Sequence, residues 1–173
     1  LPRGAYYGSE LEAFSGSIYA FFGGYQTAFG RYSIANNSWE LLADAPDLIY
    51  DGASLANDGT DLYAIRGNNS QDFYKYDISG NNWVPLAGTP ATVRRGADLV
   101  HVGNYLYTPR GNNTTTFYRY DISANTWSTM AALPGTIYDD VDIATNGTEI
   151  FVTRQNNTNT FYKYTISTNT WST

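Results

Sequence analysis

Cysteine is absent from the 173 residues, and histidine and methionine occur once each. Without cysteine there are no disulfides, thiolate metal sites or cysteine nucleophiles, although the compartment stays open. Basic residues are also scarce: 10 Lys and Arg stand against 16 Asp and Glu, a net charge of −6. No surplus of cations exists to neutralise phosphates, which argues against a nucleic-acid partner. No apolar run approaches the roughly 18 residues that span a bilayer, so no membrane partner is expected. The chain begins at Leu1 without a Met or a signal-peptide pattern, which is the expectation for a processed or trimmed product.

What is abundant points one way. Aromatic residues make up 16% of the chain, with 16 tyrosines and 16 glycines among many Asn and Thr. Tyr, Thr and Trp favour pleated, half-buried strands, and Asn and Gly favour the turns between them. The balance predicts an all-β fold, and a polar, cysteine-free surface of this kind suits an extracellular setting on a bacterial or viral exterior.

Internal periodicity organises the whole chain. All four tryptophans, Trp39, Trp83, Trp127 and Trp171, lie 44 residues apart. The same interval links Tyr32, Tyr76, Tyr120 and Tyr164, and likewise Asn37, Asn81, Asn125 and Asn169. Segments 47–90 and 91–134 agree at 20 of 44 positions, so these are copies of one unit. The repeats run 3–46, 47–90, 91–134 and 135–173, within a single domain over 1–173.

In the unit 91–134, residues 96–102 read as a first strand and Gly103-Asn104 as its turn. Residues 105–108, 116–120 and 127–130 read as the next three, with Asn125-Thr126 in the last turn. Four short strands joined by Gly/Asn turns predict an up-and-down antiparallel sheet. A lone sheet cannot bury both faces, so the copies must stack, which makes the chain a β-propeller or half of one.

The stretch Phe22-Gly23-Gly24, followed by Tyr32 and by Trp39 seven residues later, resembles the kelch motif of paired glycines, tyrosine and tryptophan. The tail Tyr-Asp-Ile-Ser-x-Asn-x-Trp at 76–83 and 120–127 is similar to the same family. Later units replace the second glycine by Asn68 and Asn112, and the fourth reads Arg154-Gln155-Asn156. The resemblance implies four-stranded blades in rings of six or seven, so four blades are few. Two copies meeting head to tail would close an eight-bladed ring as a homodimer, and a compact four-bladed monomer is the alternative.

Candidate site residues follow from where the copies differ. Just before each first strand stand Tyr6-Tyr7, Tyr50-Asp51, Arg94-Arg95 and Tyr138-Asp139. Variable residues on a fixed scaffold are where a binding site would be written. Arg66, Arg110 and Arg154 flank the same face from the loops joining second and third strands. Mixed Tyr, Arg and Asp suit a glycan, an acidic ligand or a protein, and the competing reading has these charges neutralise one another and bond to loop carbonyls. The repeated Trp and Tyr read as packing between blades.

Glu10, Ser54, Asp98 and Asp142 share one position in the first strands. They would ring the channel, either around a hard cation or bonded to neighbouring backbone N–H groups, and the second reading leaves no metal and no cofactor expected. His101 has Asn57, Thr145 and Ala13 at its equivalent places and no nucleophile beside it. No triad, zinc motif or phosphate loop is present. A noncatalytic binding module is therefore the leading expectation. A carbohydrate-active enzyme of the sialic-acid mutarotase type, using Glu, Arg and Tyr, is the second, and a structural or engineered propeller fragment without ligand the third.

Overall fold

The computed structural model describes residues 1–138, 141–154 and 159–173. Every regular element among them is a strand, and each repeat forms one four-stranded antiparallel meander. The first blade holds β1 (Glu10–Phe14), β2 (Ser17–Phe21), β3 (Phe29–Ser33) and β4 (Ser38–Leu41). The second holds β5 (Ser54–Asn57), β6 (Leu62–Ile65), β7 (Phe73–Asp77) and β8 (Asn82–Pro85). The third holds β9 (Val100–Val102), β10 (Tyr105–Pro109), β11 (Phe117–Asp121) and β12 (Thr126–Thr129). The fourth holds β13 (Ile143–Thr145), β14 (Glu149–Thr153), β15 (Phe161–Thr165) and β16 (Thr170–Ser172). The chain is an all-β propeller of four blades.

The expected first strand of the third unit is too long by four residues. Gly96 takes φ +79°, and the Ala97 N–H donates to the Arg94 carbonyl at 3.2 Å. The chain is still turning there, and pairing with β10 begins only at Val100.

The recurring Tyr, Asn and Trp form one device. Tyr76 and Trp83 are cross-strand partners, as are Tyr120 and Trp127, and Tyr164 and Trp171. Asn81, Asn125 and Asn169 sit in the intervening turns at φ 49°, 53° and 54°, a left-handed conformation that Asn tolerates. Each side-chain oxygen accepts from its tyrosine hydroxyl at 2.6–2.8 Å. It also accepts a backbone N–H of the connection from the previous blade: Ala43, Ala87 or Ala131. The indole of Trp83, Trp127 or Trp171 donates to the carbonyl of that same alanine. Each seam is latched by both backbone groups of one residue.

Behind each latch lies an apolar seam. Phe29, Phe73 and Phe117 meet Trp83, Trp127 and Trp171 of the next blade edge-on, each pair at 5.0 Å. These phenylalanines are no more than 1% exposed, and burying one is worth roughly 1.5–3 kcal/mol. Three apolar clusters fill the three seams between consecutive blades. The first strands touch in turn, β1 on β5, β5 on β9 and β9 on β13. Among the described residues no cluster joins the fourth blade to the first, so the ring is open there.

Candidate functional site at the mouth of the channel

In the first three blades the loop after the second strand lies against the loop that enters the first strand of the same blade. Gly24, Asn68 and Asn112 donate their N–H groups to the carbonyls of Tyr7, Asp51 and Arg95, each at 2.9 Å. This approach demands glycine one residue earlier. A Cβ on Gly111, at φ +66°, would fall 2.0 Å from the Arg95 carbonyl oxygen. The following Asn112 and Asn113 hold φ 52° and 58°. Gln155, at the equivalent fourth position, lies outside the described residues, as does Asp139.

Neighbouring blades close up at the same level. A Cβ on Gly52 would fall 2.1 Å from the Arg94 carbonyl oxygen, so only glycine lets these loops touch. The variable residues are thus carried on backbones that bear on one another.

A cavity of about 250 Å³ opens here, lined from all four blades by residues including Tyr7, Glu10, Asp51, Arg95, Asp98 and Asp142. A neighbouring cavity of about 160 Å³ is lined by Arg94, Arg95, Asn112, Asn113 and Tyr138. Arg95 belongs to both and joins them. Its Nε donates to Asp51 Oδ2 at 2.7 Å across the second seam. Asp51 is buried, whereas Arg95 keeps nearly half its side-chain surface.

The remaining candidates divide. Tyr50 stacks on Tyr25 with ring centroids 3.8 Å apart and planes 16° from parallel. Tyr6, Tyr7 and Tyr138 are exposed on the loops. Arg66, Arg110 and Arg154 instead direct Nε to the carbonyls of Leu48, Thr92 and Thr136 at 2.9–3.1 Å. Arg66 also pairs with Asp47 and Asp72. Each ties the end of a second strand to the connection that enters the same blade, and none is among the residues lining either cavity.

The floor of the larger cavity is acidic. Burial pushes the Glu10 carboxyl up to about 8, helped by the charges of Asp98 and Asp142. Asp98 is also raised by burial, to about 6, against the hydrogen bonds it accepts. Those come from Ser54 Oγ at 2.8 Å, from its neighbour Leu99 at 2.8 Å and from the Ile143 N–H at 3.0 Å. Asp98 therefore staples the second, third and fourth blades together. Among the described residues no three His, Asp or Glu side chains gather to hold a metal ion.

Two features escaped the sequence reading. Tyr25 sits where the next two copies have Asn69 and Asn113, at φ +59°. A bulky residue in a left-handed conformation is strained, and its displacement of Asn was the available signal. The raised Glu10 and Asp98 were legible as a shared position, not as an acid and a base of different strength.

No family model matches the sequence, and no curated protein matches it at the sequence level. Among solved structures, that of YjhT superposes with a TM-score of 0.80 at 15% identity, over 97% of this chain. The chain spans 65% of the length of that one, and the likeness is one of fold: both are β-propellers.

Proposed function

We propose that the chain is a kelch-like propeller acting as a noncatalytic binding module, and that its ligand is an acidic glycan held at the channel mouth. The kelch character is supported by its device: positive-φ glycines at 23 and 24, and a Tyr–Asn–Trp latch in the following turns. One observation carries the binding reading. Arg94, Arg95 and Tyr138 line one cavity at repeat positions where the copies differ, and the Tyr25–Tyr50 stack occupies the equivalent loops at the first seam. Tyrosine faces stack on the C–H face of a sugar, and guanidinium groups grip a carboxylate in bidentate fashion.

Titration calorimetry with uronic-acid oligosaccharides and their neutral counterparts tests this. The acidic sugars bind, and Arg94→Ala weakens them about tenfold, or 1.4 kcal/mol. Equal affinity for both series, or none for either, contradicts the reading.

A second reading rests on the cavity floor. At neutral pH Glu10 keeps its proton and Asp98 is largely ionised, an acid and a base facing one space. Such a pair would catalyse sugar anomerisation of the sialic-acid mutarotase type. Glu10 donates a proton to the ring oxygen as the ring C–O bond breaks, and Asp98 takes the anomeric hydroxyl proton. Reclosure on the other face returns both protons. NMR of anomer equilibration separates the two readings: acceleration that Glu10→Gln abolishes favours the enzyme.

A further inference from the structure

The three seams inside the chain define what a fourth would need, and both halves of it are exposed. On the outgoing face of the fourth blade, Phe151 and Phe161 occupy the places of Tyr19 and Phe29. The two rings stack on each other at 5.7 Å, and Phe161 is 52% exposed where Phe29 is fully buried. On the incoming face of the first blade, Leu11 is 60% exposed, whereas its equivalents Leu55 and Leu99 are 3% and 5% exposed. Tyr32 and Trp39 stand there in the places of Tyr76 and Trp83. A cavity of about 310 Å³ opens on this face between Leu1, Ala5, Leu11, Ala20, Phe21 and Phe22. The equivalents Ala45, Ile49, Leu55 and Ala64 form the bed that receives Tyr19, Phe21 and Phe29 in the first seam.

We propose that the fourth blade of one chain docks on the first blade of a second copy, and that two chains so joined at both gaps share one eight-bladed ring. The occupant follows from continuity with a seam already formed three times: each chain carries one knob face and one bed face. These are different surfaces, so the contact is head to tail, and two copies satisfy all four faces. Phe161 then meets the partner's Trp39 edge-on, as Phe29, Phe73 and Phe117 meet theirs. The polar staple extends too. Ser54 and Asp98 accept the N–H of Leu99 and Ile143 in the next blade, and the exposed Asp142 is placed to accept that of the partner's Leu11. Apolar faces of this kind seldom stay in water.

Light scattering coupled to gel filtration, over a hundredfold range of concentration, reads the outcome. The native chain runs at twice its mass of 19.2 kDa. Phe161→Asp and Leu11→Asp each run at the single-chain mass with an unchanged circular-dichroism spectrum, because both side chains are on the surface. Mixing the two variants restores a dimer, since one of its seams keeps both native faces. A native chain at 19.2 kDa throughout overturns the proposal, as do variants that still dimerise or a mixture that stays monomeric. Open-ended assemblies larger than two chains overturn the closed ring.

Discussion

Trp127 donates its indole N–H to the carbonyl of Ala87 at 2.8 Å, across the seam between the second and third blades and forty residues back along the chain. The ring also meets Phe73 of the earlier blade and Tyr120 of its own. Removing it should cost packing and the latch together. We expect Trp127→Ala to lower stability by about 3 kcal/mol, the low end for a large aromatic because one edge reaches solvent. Trp127→Phe should cost about 1 kcal/mol, chiefly the lost hydrogen bond. Urea denaturation midpoints decide, and unchanged midpoints would place this ring outside the seam.

Gly111→Ala should be among the most damaging small substitutions. The new methyl would meet the Arg95 carbonyl oxygen 2.0 Å away, at a φ of +66°. The left-handed conformation alone costs about 1–2 kcal/mol for a residue with a Cβ, and the clash adds to it. Asn112→Gly, one residue on, should stay within about 0.5 kcal/mol, because Asn already tolerates that conformation. Parallel melts of the two variants test the contrast.

Arg94 and Arg95 are adjacent but not equivalent. Arg95→Ala leaves the buried Asp51 carboxylate without its partner and should cost about 1 kcal/mol, a figure discounted because Arg95 is nearly half exposed. Arg94→Ala should change stability by less than about 0.5 kcal/mol. The same denaturation series reads both, and a reversed order would mean that the Asp51 pair does not hold the mouth.

Glu10 makes stability depend on pH in an unusual direction. Its folded value of about 8 lies above the ordinary 4.5, so the folded chain holds a proton that the unfolded chain releases. That contribution is fully present below pH 4.5 and is lost as pH rises to about 8. Asp98 adds a smaller loss between pH 3.8 and about 6. The urea midpoint should therefore fall from weakly acidic pH towards pH 8, and Glu10→Gln should flatten the slope. A midpoint rising over this window contradicts the buried carboxyl.

The architecture was legible because its signals are local and repeated. Tyr120 and Asn125 are five residues apart and hydrogen-bonded in one turn, so their common 44-residue spacing exposes the turn in every copy. Trp127 repeats with them because its latch is the same in every seam. The site was half legible. The positions of Arg94, Arg95 and Tyr138 stood out by differing between copies, but Asp51 and Arg95 pair across 44 residues, which depends on how two blades meet. Nor does sequence show that Arg66, Arg110 and Arg154 spend their Nε on carbonyls 18 residues earlier. The exposed Phe161 carries the same signal as the buried Phe117. Only the missing neighbour distinguishes them, and a neighbour is not written in either residue.

The proposed binding mouth on the variable loops is put to the test by a map of backbone amide shifts during titration with a uronic-acid oligosaccharide. Shifts are expected to concentrate at Tyr50, Arg94, Arg95, Asn112 and Tyr138, with the turns at the opposite end of the blades, residues 57–59 and 146–147, unmoved. Shifts confined to those opposite turns, or spread evenly over all four blades, would contradict it.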